Sequence, residues 1–537
     1  MAESSVYHLG APGILVLLLL WVGTRLITSA WRRPHSTKLN GPPSTSRIFG
    51  LSREMTESPD SSIMYEEWAK RYGSVYEVPV AFGHTKIVLT DPKALVHFYQ
   101  SERSVYVRTH DSRLFIGKIF GRGVLWAEGD THKRQRKALT PAFSNAAIRR
   151  LTAVFYDSAY KLKSIWDPIL EAGPDGAIIE VQEWMNRIAL DSIGIAGFSH
   201  DFRYLEGHQS PVTVAFESLQ ATESSFLSEM VFMLAFIFPF LLSIPTARMR
   251  IFWELRRSLN VIAEGLLTKT RIEKENNVAE ELTDKSVIGL LLKAEVADAE
   301  LYMTQEEVVA QMNVLLLAGY ETTSVSLTWA LIELAKYPEI QDKLREELTR
   351  FGPVDPTWDQ LVSDLPFLDA VVLEVLRLHP PIGETLREAA QDDIIPLGTP
   401  VVAPSGELIS SIAIAKGSTV SSPIRCVNTS EALWGPDAKE FKPERWFEVK
   451  KEMKFPAKDL QGHHHLLTFH DGPRTCLGKS FALAEFKAAL SVLVRNFVFE
   501  FPDGPETKIE AHTAIVPRPK VAGQNGAKVP LRVRRAE

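Results

Sequence analysis

Hydrophobic and polar positions follow three patterns along the chain. Residues 11–30 are almost entirely apolar, and short strand-like runs follow at Ser74–Val78 and Lys86–Leu89. Helical periodicity then dominates from about residue 92 to residue 380. Strand-like segments return between Val401 and Val420, and a last hairpin-like stretch lies near Thr513–Val516. The pattern predicts a large helical body with a smaller sheet, a mainly α protein of the α+β class.

The apolar run at residues 11–30 has the length of a membrane-spanning helix, for which about 20 residues are needed. Its single charge, Arg25, lies near the end of the run, where the side chain can reach the lipid headgroups. Three basic residues follow within residues 31–39, so the positive-inside rule leaves the body in the cytoplasm. A cleaved signal peptide is the alternative, although the first ten residues contain neither Lys nor Arg.

Composition narrows the class of protein. The chain has 537 residues, 45% of them hydrophobic and 23% charged, which is enough for a large core. Its net charge of −6 offers nucleic acid no basic field. The two cysteines are fifty residues apart, which argues against a disulfide scaffold or a CxxC metal site and indicates a reducing compartment. We expect an anchor with a basic flank over residues 1–39, the stiff segment Asn40–Ser44, and one domain over residues 40–537.

The most specific motif surrounds Cys476. Residues 469–478 read FHDGPRTCLG, in which Gly472 allows a tight turn. Cys476 precedes an apolar helical run whose free N–H groups favour a thiolate. This F-x-x-G-x-R-x-C-x-G pattern resembles the haem-binding loop of the cytochrome P450 family. A lone cysteine in a long chain is more often a small buried hydrophobe, and Cys426 is interpreted in that way.

The resemblance implies that Cys476 is the axial ligand of a haem b iron. In that family the thiolate is known to push electron density toward O–O cleavage. Arg474 would pair with a haem propionate, Phe469 would pack against the thiolate side of the ring, and Gly472 would shape the loop. Further haem contacts implied by the resemblance are His132, which replaces the family's usual tryptophan, together with Arg136, Arg387 and Ala318.

A second motif is Glu374-Val375-Leu376-Arg377, whose outer residues share one face of a helix and can pair. E-x-x-R alone is weak, because any solvated helix can contain it. Here the preceding residues 367–373 are strongly apolar, so we expect the pair to be buried and networked. The later segment WGPDAKEFKPERW resembles the family's segment whose arginine, here Arg445, joins the pair. The resemblance implies a structural lock behind the haem.

A capping box at Thr304 and Glu307 begins the longest helical pattern, which ends at Pro338. Inside it lies Ala318-Gly319-Tyr320-Glu321-Thr322-Thr323. A mid-helix glycine costs about 1 kcal/mol, and the Thr322 hydroxyl can bond the Ala318 carbonyl, so we expect a locally weakened helix with room for a small ligand. The alternative is a helix-packing glycine with solvated polar neighbours.

This segment resembles the family's oxygen-activating segment, in which an acid and an alcohol relay protons. Glu321 and Thr322 match those two positions, although many relatives have Asp in place of Glu. The resemblance implies that these two residues are the catalytic ones.

The helix that carries His132 and Arg136 also carries Lys133, Arg134 and Lys137. We expect these three cations on its outer side, as a basic patch suited to an acidic electron-donor domain. A plain solvated face is the alternative.

The sequence says least about the substrate. Candidate pocket residues are mostly apolar, which favours a terpenoid, sterol or fatty chain: Leu114, Phe115, Ile116, Ile382, Thr385, Ile515 and Val516. The stretch Met230–Leu242 is too short to span a bilayer, so it either packs in the core or dips into the membrane. His463, His464 and His465 are interpreted as a solvated loop and not as a metal site.

The resemblance implies a haem-thiolate monooxygenase of the fungal microsomal type in the endoplasmic reticulum membrane. It would act on a lipophilic small molecule, with terpenoid or sterol favoured, in secondary metabolism. Electrons from NADPH would arrive through a separate FAD/FMN cytochrome P450 reductase, with cytochrome b5 as an optional second donor, because the chain has no nucleotide fingerprint of its own. The alternatives are a haem-thiolate isomerase or lyase and a non-catalytic haem sensor. The intact Glu321-Thr322 pair disfavours them.

Overall fold

The computed structural model describes residues 36–58, 60–173, 175–209, 213–214, 228, 231, 239–275, 287–295, 301–352, 354–452, 454–512 and 514–536. The predicted anchor at residues 11–30 lies outside these ranges. Within them, no helix is both long and apolar enough to cross a bilayer. The apolar stretch Met230–Leu242 is described only at 231 and 239–242, where the 3-10 turn Pro239–Ser243 begins and Leu242 is buried.

Helices form most of the described body, as the periodicity predicts. In chain order they are α1 (Ser52–Glu57), α2 (Ser61–Tyr72), α3 (Pro92–Gln100), α4 (His110–Ile119), α5 (Gly129–Leu139), α6 (Asn145–Glu171), α7 (Val181–Phe198), α8 (Ala247–Glu275), α9 (Val287–Ala294), α10 (Gln305–Lys336), α11 (Pro338–Thr349), α12 (Trp358–Ser363), α13 (Pro366–Leu378), α14 (Ile424–Thr429), α15 (Glu431–Trp434), α16 (Arg445–Lys451) and α17 (Lys479–Asn496). The longest, α10, has the predicted capping box of Thr304 and Glu307 and ends before Pro338. Most of its side chains are buried, so α10 runs through the core.

The strands are shorter and lie between the helices as well as after them. They are β1 (Val75–Pro79), β2 (Thr85–Leu89), β3 (Tyr106–Val107), β4 (Ala177–Glu180), β5 (Thr385–Ala389), β6 (Asp393–Val402), β7 (Leu408–Ile414), β8 (Thr419–Ser422), β9 (Phe497–Glu500), β10 (Ile509–His512), β11 (Arg518–Val521) and β12 (Pro530–Arg535). A five-stranded sheet has the order β1-β2-β8-β5-β3, with β2 and β8 parallel. A three-stranded sheet has the order β4-β12-β9, and β6-β7 and β10-β11 are hairpins.

The final hairpin is found where it was predicted. Strands β10 and β11 pair from Ile509↔Val521 to His512↔Arg518, and residues 514–516 lie in the connection between them. Because β11 packs against α10, this connection comes close to the centre of the body.

Three buried clusters form the core of the described residues. The largest joins the long helices, and its fully buried members include Trp166 of α6, Leu331 of α10 and Leu490 of α17. The second lies between the five-stranded sheet and α3, with Leu89 and Phe98 fully buried. The smallest packs α2 against β1 and β2 and includes the buried Cys426. Helix α10 packs against α7, α8, α13 and α17. The Cys476 loop immediately precedes α17, and the Glu321-Thr322 segment lies on α10. Because α10 and α17 pack against each other, both segments adjoin the same helical core.

The segment that precedes the body is bonded to its sheets. The Thr37 N–H donates to the Ala413 carbonyl over 3.0 Å. Asn40 accepts from the Glu77 N–H over 3.0 Å and donates its side-chain amide to the Val402 carbonyl over 2.8 Å. The predicted stiff segment Asn40–Ser44 is thus fixed to the body at its first residue.

Candidate active site

The Cys476 loop is closed by its own backbone. The Cys476 N–H donates to the Phe469 carbonyl over 2.8 Å, and the Thr475 hydroxyl donates to the Gly472 carbonyl over 2.7 Å. Gly472 has a φ of +63° and lies so close to the Tyr99 carbonyl that a Cβ would overlap with it. Only glycine satisfies both conditions, so the sequence-based reading of the tight turn is confirmed.

The Cys476 thiol is accessible although protein surrounds its loop. Desolvation raises the pKa of the thiol, while the Gly478 N–H and the charges of Arg136 and Lys479 lower it. The net direction is upward, so the thiol by itself favours the protonated form, and a coordinated metal cation would hold it as the thiolate. Cys426, in contrast, is buried, and its burial raises the pKa to about 12, as fits the structural role predicted for it.

Three guanidinium groups, which we call the arginine cluster, converge near this loop: Arg108, Arg387 and Arg474. Burial, then the charges of the other two arginines, lower the pKa of Arg108 to about 9. The cluster holds two carboxylates, since Arg387 Nε lies 2.8 Å from Glu102 Oε1 and Arg474 contacts Glu128. The Nε atoms of Arg108 and Arg474 are buried and have no hydrogen-bond partner within the described part of the chain.

The arginine cluster is the test of whether these residues fit a haem. Three cations against two carboxylates leave an excess of positive charge, and buried donors without partners are rare in proteins unless a ligand or solvent satisfies them. A haem edge presents two propionates, which are acceptors of the right charge. The accessible thiol and the arginine cluster therefore fit a haem.

Helix α5 brings His132 and Arg136 to the same place. Arg136 donates from Nη2 to the Thr475 carbonyl over 2.7 Å, which ties α5 to the Cys476 loop. Burial and the charges of Arg474, Arg136 and Arg108 lower the pKa of His132 to about 3. Its imidazole is therefore neutral at pH 7 and keeps one N–H donor. Both residues lie where a contact with propionate is feasible.

The predicted basic patch on α5 is smaller than expected. Arg134 does not project freely from the outer face, because its Nη2 lies 2.6 Å from Glu307 Oε1, at the capping box of α10. An ion pair with a neighbouring helix offsets the charge that an acidic partner would meet. Lys133 and Lys137 are exposed.

The central part of α10 continues without a break through the predicted oxygen-activating segment. The Thr322 hydroxyl donates to the Ala318 carbonyl over 2.7 Å, as predicted. A Cβ on Gly319 would lie 2.7 Å from Ile193 Cγ1 of α7. The glycine therefore does pack two helices closely, as the alternative reading had it. Ala318 is nevertheless exposed in the middle of a buried helix, so this face of α10 borders open space.

Glu321 has a partner that the sequence did not indicate. Its Oε1 accepts from Arg518 Nη2 over 3.0 Å, and both side chains are buried. Burial raises the pKa of Glu321, while the Arg518 charge and the Val516 N–H oppose this. A buried acid whose pKa is shifted by burial and by one specific charged partner is typical of functional sites.

Glu374, Arg377 and Arg445 lie together in a fully buried network, as predicted. Arg377 binds both oxygens of Glu374, from Nη2 over 2.8 Å and from Nε over 2.9 Å. Glu374 also accepts from Arg445 Nε over 3.3 Å and from Trp446 Nε1 over 3.1 Å. The remaining Arg377 donors reach backbone carbonyls, including that of Asn428 over 3.0 Å. The network joins α13, α14 and α16.

The predicted pocket residues lie in several environments. Leu114 lines a cavity of about 920 Å³ between α4, α8 and the first half of α10. Phe115 packs edge-on against Phe252, with ring centroids 5.2 Å apart. Thr385 is buried, with its hydroxyl 2.7 Å from His470 Nε2 of the Cys476 loop. Ile116 and Val516 are buried, Ile515 is half-buried and Ile382 is exposed.

The three consecutive histidines lie beside the Cys476 loop. No group of three or more potential ligands that could hold an ion is found among the described residues. His463 packs against Phe469, with ring centroids 5.9 Å apart, and burial lowers its pKa to about 3. In this loop His464 is exposed, whereas His463 and His465 are half-buried.

Sequence reasoning missed five residues of this site: Arg108, Glu102, Glu128, Arg518 and Glu485. The last is a fully buried acid of α17, and burial raises its pKa to about 8 against hydrogen bonds from Ser192 and Thr323. Its spacing of nine after Cys476 on an otherwise apolar helix face was an available signal. For the other four no local pattern existed, because their partners are distant in sequence.

Comparisons with known proteins agree with this geometry. The chain matches the Cytochrome P450 family profile over residues 41–523. It is 58% identical to cytochrome P450 monooxygenase claQ of Ampulloclitocybe clavipes, over 98% of each chain. It is 57% identical to cytochrome P450 monooxygenase claP of the same organism, over 99% of each chain. It is 34% identical to cytochrome P450 monooxygenase 205 of Postia placenta, over 92% of each chain. This chain therefore belongs to the cytochrome P450 family and is a haem-dependent monooxygenase.

Proposed function

We propose that this monooxygenase inserts one oxygen atom from O2 into a lipophilic, terpenoid-like or sterol-like molecule in fungal secondary metabolism. NADPH would supply two electrons through a separate FAD/FMN reductase, and the second oxygen atom would leave as water with two protons. The observation that carries the proposal is the accessible Cys476 thiol, which lies on a loop closed by the hydrogen bond from the Cys476 N–H to the Phe469 carbonyl, two residues after Arg474 of the arginine cluster. When bound, haem b supplies the redox chemistry on O2.

The chain's own residues would hold the haem, position the substrate and move protons. Cys476 would ligate the iron, and Arg108, His132, Arg136, Arg387 and Arg474 would face the propionates. Phe469 and Ala318 would contact the two faces of the ring. Thr322 and Glu321 would pass protons from water toward the oxygen site, a positioned acid and alcohol being worth about 10²-fold to 10⁴-fold in rate.

The thiolate ligand is tested by Cys476→Ser. The reduced, carbon monoxide-treated variant should lose the thiolate-type absorption band, because a serine oxygen does not donate charge as a thiolate does. Cys426→Ser is the matched control and should keep the band, since Cys426 is a buried thiol away from the loop. Wild-type protein should also consume NADPH only with a reductase present. An unchanged band in Cys476→Ser would remove the ligand assignment.

The substrate proposal has support from the 920 Å³ cavity, whose lining is only partly apolar. Leu114 and Val309 share it with Arg113, Asn260 and Asn313. Asn313 Oδ1 is buried without a hydrogen-bond partner among the described residues, so it could accept from a substrate hydroxyl. This lining favours an oxygenated terpenoid over a bare hydrocarbon. Product profiling of a host that expresses the chain with a fungal reductase, fed oxygenated and unoxygenated terpenoids, separates the two.

We also propose a single-pass anchor at residues 11–30 in the endoplasmic reticulum membrane, with the body in the cytoplasm near the reductase and cytochrome b5. The support is the length of the apolar run and the basic residues that follow it. Deleting residues 1–35 should move the protein from the microsomal to the soluble fraction while the carbon monoxide band persists. Retention of the shortened protein on membranes would point to another attachment.

A further inference from the structure

The catalytic acid proposed above is bound to the C-terminal hairpin. Glu321 lies on α10 and Arg518 begins β11, 197 residues later in the chain. Their side chains are 2% and 1% exposed, so solvent barely reaches either. At 3.0 Å between Nη2 and Oε1, the pair is a direct charge-assisted hydrogen bond.

A second residue of the same hairpin also faces the acid. The Val516 N–H acts on Glu321 by a hydrogen bond that lowers its pKa. Val516 and the half-buried Ile515 belong to the connection between β10 and β11, two residues before Arg518. The Glu321 carboxylate thus binds the start of β11 through Arg518, so the position of the carboxylate and the hairpin conformation are coupled.

The Glu321–Arg518 pair leaves some of its polar atoms without hydrogen bonds, unlike the Glu374–Arg377 pair. Glu321 Oε2, Arg518 Nε and Arg518 Nη1 are buried without hydrogen-bond partners among the residues that the structure describes. The Tyr320 ring lies 5.9 Å from the guanidinium and adds a weak cation–π contact. A buried ion pair with open donors and acceptors gains little stability, because its desolvation is only partly compensated. Stability alone therefore does not explain the Glu321–Arg518 pair.

We propose that Arg518 is a positioning residue that orients the Glu321 carboxylate for proton delivery, and that the conformation of the β10-β11 hairpin thereby controls that delivery. The proposal rests on the proposed monooxygenase function. Arg518 transfers no proton: Glu321 takes one from water and passes it toward the Thr322 side, while the guanidinium only fixes the orientation of its carboxylate. No electron moves between these groups.

The test compares Arg518→Gln, which removes the charge, with Arg518→Lys, which keeps it. Arg495→Gln is the matched control, because Arg495 forms a similar partly buried pair with Asp355 at the far end of α17. Only variants that keep the carbon monoxide band are compared. If wild-type protein itself lacks the band, the proposed function fails, and this outcome is distinct from a failure of the Arg518 proposal.

The first measurement is amide hydrogen exchange of residues 509–521. We expect about tenfold faster exchange or more in Arg518→Gln and in Glu321→Gln, since a hydrogen bond between charged groups is lost. Arg518→Lys and Arg495→Gln should leave the hairpin close to wild type. Equal loosening by Arg495→Gln, or no loosening by Arg518→Gln, would overturn the coupling.

The second measurement is the ratio of NADPH to O2 consumed with a reductase in the absence of substrate, because coupled substrate oxidation also uses one NADPH per O2. Two-electron reduction to peroxide uses one NADPH per O2, and four-electron reduction to water uses two. Because proton delivery favours water over peroxide, Arg518→Gln should raise the peroxide fraction about twofold or more, as Thr322→Ala should. Arg518→Lys should restore the wild-type ratio. A loosened hairpin with an unchanged ratio would reduce Arg518 to a structural residue.

Discussion

Two buried clusters of arginine and glutamate differ in how completely they are hydrogen-bonded. In the first, Glu374 accepts from two Arg377 nitrogens, from Arg445, from Trp446 and from the Lys442 N–H. In the second, the arginine cluster, the Nε atoms of Arg108 and Arg474 and the Oε2 atom of Glu102 are buried without hydrogen-bond partners in the described chain. The residue types are the same and the burial is similar.

The difference separates a structural network from a binding site. A buried charge is tolerated when every donor and acceptor is satisfied, and the Glu374 network meets that condition from within the chain. The arginine cluster does not meet this condition, and burial together with repulsion from the other two arginines lowers the pKa of Arg108 to about 9. Anionic groups of a bound ligand would accept hydrogen bonds from the unpaired donors of the arginine cluster.

The largest expected effect comes from breaking the saturated network. Glu374→Gln should destabilise the protein by about 3 to 5 kcal/mol, because it leaves the buried Arg377 guanidinium without its counter-charge, whereas Arg445 keeps Asp437. Denaturant unfolding of purified protein measures this. Arg350→Gln, which removes an exposed pair with Glu346, is the control and should cost less than about 1 kcal/mol. Similar free energies of unfolding for the two variants would show that the Glu374 network has no structural role.

A third buried acid, Glu485, sharpens the comparison because burial, and not a neighbouring charge, raises its pKa to about 8. In the folded protein the carboxyl stays neutral up to about pH 8, whereas in the unfolded chain it ionises near pH 4.5. Stability should therefore fall as pH rises from 4.5 to 8, by about 1.4 kcal/mol per pH unit from this group.

Glu485→Gln should remove that slope, so the variant gains on wild type between pH 5.5 and pH 7.5. Unfolding midpoints of both proteins at several pH values test this. Parallel pH profiles for the two proteins would show that Glu485 already ionises in the fold.

The smallest effect is expected from the arginine cluster, and it should act on haem and not on the fold. Arg108→Gln should speed haem loss to an acceptor protein about tenfold, because one charge-assisted contact to a propionate is removed. The stability of the haem-free protein should stay the same or rise, since repulsion among the arginines falls. Arg122→Gln, which changes an arginine stacked 5.3 Å from the Trp126 ring, is the control. Destabilised haem-free protein with normal haem retention would contradict the ligand role.

Much of this site follows from short-range pattern. The Cys476 loop, the capping box of α10, the Thr322 to Ala318 hydrogen bond and the Glu374 to Arg377 pair all join residues within a few positions, where helix and turn geometry fix which side chains meet. The mainly helical fold follows from the periodicity in the same way. The prediction from sequence failed where a charge had a distant partner, as for Arg134, which pairs with Glu307.

Only the tertiary structure decided which distant charges share a buried space. Arg518 reaches Glu321 across 197 positions, and Arg387 reaches Glu102 between two sheet-associated segments. Nothing in local spacing specifies such pairs, because they depend on how helices and strands pack after each has formed. The sequence by itself determined the ligand loop and the helices that carry the chemistry, and packing determined which charges are satisfied and which are left for a ligand.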